Sequence, residues 1–379
     1  MMGSKDFIFV LIIVTNSISM AANKIGAPKV RPHLHIHHFS ASGPAGYTPD
    51  QIRKAYRINL ETSTGAGQTI ALIEGYGSLH LQSDFDTFNR QFGLPHLTLK
   101  FLYPQGKPAA TDSTWALETC LDVEWAHAIA PGAEILVVVA ADGTYANLLP
   151  AIDAAVAKGA QQISMSWGSI EWPGETAVDA HFNVGYSSFF ASSGDSGAGL
   201  QYPAASPYVI GVGGTTLTLN SNGYIKTETA WLGSGGGVSV YETVPSYQTQ
   251  AQGTGQRTVP DMAYDGDPTT GFPVYDSNDY GGSTGWFQIG GTSAGAPQWA
   301  ALSALANSFR DTQQTLNTFS LNTALYSIGG SSTSALYIRD TKKGCDGTGT
   351  GDCASVGYDF VTGLGSPIVS PLIKELRPY

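Results

Sequence analysis

Hydrophobic positions in this chain fall into short continuous runs rather than strict alternation. QTIALIE (68–74), AEILVVVAA (133–141), QQISMSW (161–167), SSFFASSGD (187–195) and PYVIGVGG (207–214) are apolar runs of strand length. Such runs suit strands buried on both faces. Between them lie stretches with helical spacing, among them TDSTWALETCLDVEWAHAIAPGA (111–133) and NLLPAIDAAVAKG (147–159). Thr48-Pro49-Asp50 carries a helix start, with Thr at the cap and Pro just inside. Strands alternating with helices predict an α/β fold, a doubly wound, mostly parallel sheet with helices on both faces. In such sheets functional residues gather at the strand C-terminal ends. No repeat or low-complexity tract interrupts the pattern, so residues 46–379 are expected to form one large domain.

The first 45 residues read differently. Lys5, the apolar run 7–14 and small residues around Ser19, Ala21 and Ala22 predict a signal peptide over residues 1–22. The run is too short to span a bilayer, so a secreted protein is expected, with no membrane partner after cleavage. Residues 23–45 read as a polar linker. Its cluster of His33, His35, His37 and His38 fits a solvated tail better than a metal site, since no periodic structure would hold it.

Composition narrows the classes. Charged residues are 13% of the chain, about half the usual share. The net charge of -11 and the lack of a basic stripe argue against nucleic acid or anionic membrane as partner. Hydrophobic residues at 42% and aromatics at 11% exclude a disordered chain. A surface with few titratable groups gains little charge in acid. Export permits a disulfide, and Cys345 with Cys353 closes a short Gly-rich loop, so that pair is the expected bridge. Cys120 is then a buried thiol, and three free thiols remain the alternative.

The richest chemistry lies in GGTSAGAPQWAALSALAN (290–307). A Gly-Gly-Thr turn precedes Ser293, and a helix follows, so backbone N–H groups there can face a developing oxyanion. Gly291-Thr-Ser293-Ala-Gly295 also satisfies the G-x-S-x-G elbow of α/β-hydrolases, but that order needs a His after the Ser, and the last histidine is His181. Gly194-Asp195-Ser196-Gly197 echoes the nucleophile segment of chymotrypsin-like proteases, whose antiparallel barrels disagree with this α/β pattern. The other source of a base is the helix over 111–133. Glu118 and Asp122 are four residues apart, so both carboxyls lie on one face and can share a proton. Such pairs are commonly solvated, but Trp115, Leu117, Cys120, Leu121 and Val123 around this one favour burial; Glu124 points elsewhere. A Glu held this way can take a Ser proton while the Asp orients it.

Taken together, Ser293 in GGTSAGAP, the Glu118–Asp122 spacing in ALETCLDVEWAHAIAPGA and Asp195 in SSGDSGAG resemble the sedolisins, or serine-carboxyl peptidases. The motifs stand in the family's order, and the likeness runs from GYTPDQIRKAY (46–56) to the C-terminus. The resemblance implies a subtilisin-like fold with Ser293 as nucleophile, Glu118 as base and Asp122 as its partner. Asp195 corresponds to an oxyanion-hole residue that must be protonated to donate, which ties activity to acid. Glu74 and Trp167 match positions that extend the proton network in some members; a strand-end acid and a core Trp are the plainer readings. The segment YIRDTKKGCDGTGTGDCASVGYDFVTGLGSP (337–367) resembles the family's C-terminal calcium-binding loop. It implies Ca2+ held by side chains of Asp340 and Asp359 and carbonyls of Thr341, Ser355 and Gly357. Ser355 stands where Gly is more usual, and the Cys-containing insertion is not typical.

One departure concerns maturation. Sedolisins usually carry a long N-terminal prodomain, and the roughly two dozen residues between the signal and GYTPD are too few for an independent domain. The expected function is a secreted, acid-acting serine-type endopeptidase, hydrolysing protein or peptide substrates through an acyl-enzyme with a Ser-Glu-Asp triad, most simply as a monomer. The alternative is a catalytically silent or trans-activated homologue acting as a binding protein.

Overall fold

A computed structural model describes residues 26–40, 43–310, 315–348 and 351–379; the expected signal peptide lies outside them. The apolar runs become strands of one sheet. Its order, among the described residues, is β11 (Ile225–Ala230), β10 (Ile210–Leu219), β8 (Ser188–Ser192), β6 (Gln162–Met165), β3 (Thr69–Gly75), β5 (Glu134–Ala140) and β4 (Lys100–Leu102). An eighth strand, β14 (Met262–Asp265), also pairs with β10. Every pair is parallel except β10 with β11.

Strand parity sorts the core into two layers. Ile70 and Leu72 of β3 and Ile135, Val137 and Val139 of β5 pack with Leu117 and Leu121 of α3 (Ser113–Ile129) and Leu305 of α5 (Gly295–Phe309). The alternate residues Ala71, Ile73, Leu136 and Val138 pack with Leu148 and Ile152 of α4 (Tyr145–Ala157). Glu74 shares the parity of Ile70 and Leu72, so it faces α3. This is the expected doubly wound arrangement.

Local signals explain the helix ends. At α1 (Pro49–Ala55), Thr48 Oγ1 accepts from the Gln51 N–H and the Gln51 side chain accepts from the Thr48 N–H, a capping box with Pro at the first position. Asp112 Oδ1 caps α3 by accepting from the N–H groups of Thr114 and Trp115 at 3.0 and 3.1 Å. From Trp115 to Ile129 every residue of α3 is buried. The face turned from the sheet is covered by β15 (Phe272–Tyr280), where the Trp125 indole donates to the Pro273 carbonyl and the Tyr275 N–H donates to Glu124. Glu124 therefore does point away from Glu118. A helix packed all round carries no amphipathic stripe.

Two segments depart from the sequence reading. The run 161–167 breaks at Ser166, and β7 (Trp167–Ile170) leaves the central sheet to join a three-stranded sheet with β1 (Arg31–Pro32) and β9 (Gln201–Tyr202). The stretch read as a polar linker is woven into the fold: β1 pairs antiparallel with β7, and β2 (His35–Ser40) pairs antiparallel with β16 (Ser283–Gly290), itself paired with β15. His33, far from a solvated tail, is only 5% exposed. The partners of these strands lie more than a hundred residues away and contribute backbone groups that every residue carries, so nothing local announces the pairing.

The short pairs β12 (Gly237–Thr243) with β13 (Gln256–Val259) and β17 (Ile338–Arg339) with β18 (Ser366–Pro367) lie outside the main sheet. Cys345 and Cys353 are bridged and Cys120 is a buried free thiol, both as expected. Among the described residues no helix is long and apolar enough to cross a membrane.

Candidate active site

Five elements converge on Ser293. It sits in a 3-10 turn, Thr292–Ala294, that leads straight into α5. Gly291 before it has φ of 117°, open to glycine but strained for other residues. Ser293 is fully buried, and its hydroxyl donates to the Ser166 carbonyl at 3.0 Å. The break after β6 creates that acceptor, because the carbonyl of Ser166 has left the ladder. The Ser166 hydroxyl in turn bridges both oxygens of Asp122 at 2.8 Å.

Glu118 and Asp122, one turn apart on α3, meet Glu74 from the end of β3. All three are fully buried. Burial lifts Asp122 to about 7, while hydrogen bonds from Ser166, Glu74 and Glu118 hold it below the other two. Burial, then the charge of Asp122, drives Glu118 well above the ordinary carboxylate range, and Ser293 pulls the other way. Glu74 is raised well above its ordinary value by the same two causes. Three carboxyls in so dry a space cannot all be ionised. Neither Glu118 oxygen makes a hydrogen bond of regular geometry, although Ser293 is near enough to ease its charge. In this arrangement the Ser293 proton points at the Ser166 carbonyl.

Asp195 follows β8. Its Oδ1 accepts from the N–H and the hydroxyl of Thr292 at 2.7 and 2.8 Å, and its Oδ2 is buried without a hydrogen-bond partner. Burial raises this carboxyl to about 7, against the pull of Thr292. His35 Nε2 stands 3.6 Å from Oδ2.

The N-terminal strands run through this site. The carbonyl of His33 accepts from the Ser293 N–H at 3.2 Å. Its N–H points between the Ser166 carbonyl (3.2 Å) and Ser293 Oγ (3.1 Å). A Cβ built on Gly291 would lie 2.1 Å from the His33 carbonyl oxygen and 2.5 Å from Asp195 Oδ2, so these oxygens are neighbours above Gly291. The His33 ring turns aside, Nδ1 to Ser192 Oγ at 2.7 Å and Nε2 to Gln201 Oε1 at 2.6 Å. With both nitrogens engaged there, this imidazole cannot serve Ser293 as a base.

Trp167, expected in the proton network, does not reach a carboxyl. Its indole donates to the Ile73 carbonyl at 2.8 Å and its ring packs on Tyr145. Strand parity turns it to the α4 side of the sheet, opposite Glu74; it anchors the strand that carries Glu74. Ser166, Thr292 and His33 escaped sequence reasoning. A lone Ser after an apolar run and a His in a tail carry no distinguishing pattern.

The C-terminal loop gathers the expected calcium residues. Asp340 Oδ2 accepts from the Gly357 N–H at 3.1 Å and lies 3.5 Å from Lys342 Nζ, while its Oδ1 is buried without a partner. Asp359 accepts from the N–H groups of Ser355, Val361 and Thr362. Thr341, next to Asp340, is buried. Each carboxyl thus holds one end of the 355–357 turn, and Asp340 Oδ1 and Thr341 Oγ1 are buried without partners.

Residues 110–357 match the subtilase family. The chain is 34% identical to kumamolisin of Bacillus sp. (strain MN-32) over 93% of its own length and 69% of that protein. It is 35% identical to sedolisin of Pseudomonas sp. (strain 101) over 50% of this chain and 35% of that one. Among solved structures, Pseudomonas sedolisin, a serine-carboxyl proteinase complexed with pseudo-iodotyrostatin, superposes with a TM-score of 0.77 at 28% identity, covering 89% of this chain and 99% of that one.

Proposed function

The chain belongs to the sedolisin family within the subtilases, and from that premise we propose that it is a secreted, acid-acting serine-type endopeptidase with a Ser293–Glu118–Asp122 triad. The observation that carries this is the meeting of Ser293 with a buried carboxyl cluster, while the buried imidazole beside it, His33, has both ring nitrogens engaged elsewhere. Export rests on the N-terminal signal pattern, and the Cys345–Cys353 bridge suits it. The peptidase domain spans residues 46–379, to which residues 31–40 add strands.

The steps follow from the positions. In the singly ionised form of the cluster, Ser293 Oγ attacks the substrate carbonyl carbon as its proton passes to the Glu118 carboxylate, whose charge the Asp122 carboxyl shares by hydrogen bonding. The carbonyl oxygen gains the electron pair and is held by the Ser293 N–H and by the protonated Asp195 carboxyl. As the intermediate collapses, Glu118 returns the proton to the leaving amine and the acyl group stays on Ser293. Water then releases it through the same groups. Asp195 must keep its proton, so activity belongs to pH values below about 7.

Ca2+ belongs to the proposal as a structural staple of the C-terminal loop. Side chains of Asp340 and Asp359 with carbonyls of Thr341, Ser355 and Gly357 would hold it, the orphaned Asp340 Oδ1 being the observation that favours a cation there.

Incubation with denatured haemoglobin across pH tests the reading. Peptide release in acid, lost in Ser293→Ala, and a peptide-aldehyde adduct on Ser293 are expected. A folded protein that releases nothing at any pH would mean a silent homologue.

A further inference from the structure

Residues 31–36 cross the cleft as an extended peptide. Arg31 and Pro32 pair antiparallel with Gly168 and Trp167, and the ladder continues through the His33 N–H to the Ser166 carbonyl. Beyond the site, His35 and Ile36 pair with Gly290 and Ile289. Between the two ladders the His33 carbonyl receives the Ser293 N–H. The peptide bond presented to Ser293 is therefore His33–Leu34, and the His33 side chain occupies the position of a residue on the acyl side of a scissile bond.

That side chain lies in a built pocket. Gly168 is its floor, since a Cβ there would stand 2.8 Å from His33 Cε1. The Gln201 side chain is braced on Gly194, whose own Cβ would lie 3.1 Å from Gln201 Cγ. Ser192 is 1% exposed. An amide oxygen only accepts, so Nε2 of the ring carries the hydrogen; Nδ1 is then the acceptor and the Ser192 hydroxyl donates to it. This neutral tautomer satisfies both ring nitrogens. Burial lowers His33 to about 4, with the hydrogen bond that the ring donates to Gln201 opposing, so the ring stays neutral in mild acid.

We infer that Ser192 and Gln201 are specificity-determining residues of this site and select histidine on the acyl side of the scissile bond. The inference rests on the peptidase reading above. Phenylalanine would fill the same space but leave the Ser192 hydroxyl and the Gln201 carbonyl unpaired, and a site built to hydrogen-bond its substrate rejects such analogues strongly. Arginine or lysine brings a charge to walls made of a hydroxyl and an amide.

The test uses the full chain and peptides copying residues 29–38, with His, Phe, Gln or Arg at the position of His33. Hydrolysis is followed between pH 4 and 6, as roughly bracketed by the His33 and Asp195 shifts, and products are identified by mass. Cleavage after His is expected at a kcat/KM at least about tenfold above the other three. Ser192→Ala and Gln201→Leu should each shrink that ratio. Equal cleavage of all four, or an unchanged ratio in both variants, overturns the inference while the peptidase reading stands. If no peptide is cut and the chain's own His33–Leu34 bond also stays intact, the peptidase reading itself falls. The pocket is then read directly by 15N-histidine NMR of the Ser293→Ala chain. A His33 ring that is Nε2-protonated and neutral down to about pH 5 supports the pocket, and a ring that titrates near its ordinary value overturns it.

Discussion

Asp195 spends one oxygen on Thr292, accepting its N–H and its hydroxyl, and keeps the other free of hydrogen bonds beside the carbonyl that Ser293 faces. An ionised carboxylate in that place would repel the oxyanion; a protonated one can donate to it. Activity should therefore fall as pH rises through about 7, where Asp195 loses its proton. Asp195→Asn replaces the acid with an amide that cannot ionise. It should lower kcat but flatten the alkaline limb, as read from kcat against pH on one peptide. An alkaline limb unmoved in this variant would assign the loss to another group.

Removing either reacting partner should be close to all-or-none. Ser293→Ala or Glu118→Gln is expected to lower kcat by about 10^4-fold or more, since members of a nucleophile–base pair fail together. Circular dichroism should show the fold retained. Substantial turnover by folded Glu118→Gln would move the base to another carboxyl of the cluster.

Ser166 was invisible in the sequence, yet its hydroxyl meets both oxygens of Asp122. Ser166→Ala removes the hydrogen bonds that favour the charged form, so the Asp122 pKa should rise and the acid limb should move to higher pH. A loss of about ten- to a hundredfold in kcat is expected, the worth of a hydrogen bond to a charged group. A pH profile shaped like that of the parent enzyme would reduce Ser166 to packing.

Buried carboxyls make a statement about stability as well. Asp122 and Asp195 are raised to about 7, Glu242 to about 8 and Glu175 to about 9, each by burial first. Unfolded, these groups titrate at the ordinary values of 3.8 and 4.5, so the folded state holds more protons in between. Their contribution is complete below the unfolded values and is lost as pH rises through the folded ones. His33 and His127, lowered to about 4 by burial, act oppositely but only up to their ordinary 6.5. Between pH 7 and 9 the carboxyls act alone, and the melting temperature should drop across that interval. A melting temperature that climbs there would contradict the sign.

The C-terminal loop offers a separate check. Chelation by EGTA should lower the melting temperature, and calcium should restore it. In Asp340→Asn the orphaned oxygen loses its charge, so added calcium should stabilise less. Identical melting curves with and without chelator would leave the loop's carboxyls as caps for N–H groups.

Much was decided by the sequence alone, wherever the physics is local. Buried runs alternating with helical stretches specify the parallel sheet, and Thr48-Pro49 starts α1 through a capping box formed within four residues. The i, i+4 spacing puts Glu118 and Asp122 on one face whatever surrounds them, and eight residues of separation bring Cys345 to Cys353. Tertiary structure decided the rest. Strand parity sent Trp167 to the opposite layer from Glu74, and the break at Ser166 freed a carbonyl that no propensity foretells. It also took a histidine-rich stretch that looked like a tail and drew it across the nucleophile. That choice rests on backbone pairing of β1 with β7 and of β2 with β16, partners far apart in the chain. N–H and C=O groups are the same at every residue, so such pairing leaves its mark only in three dimensions.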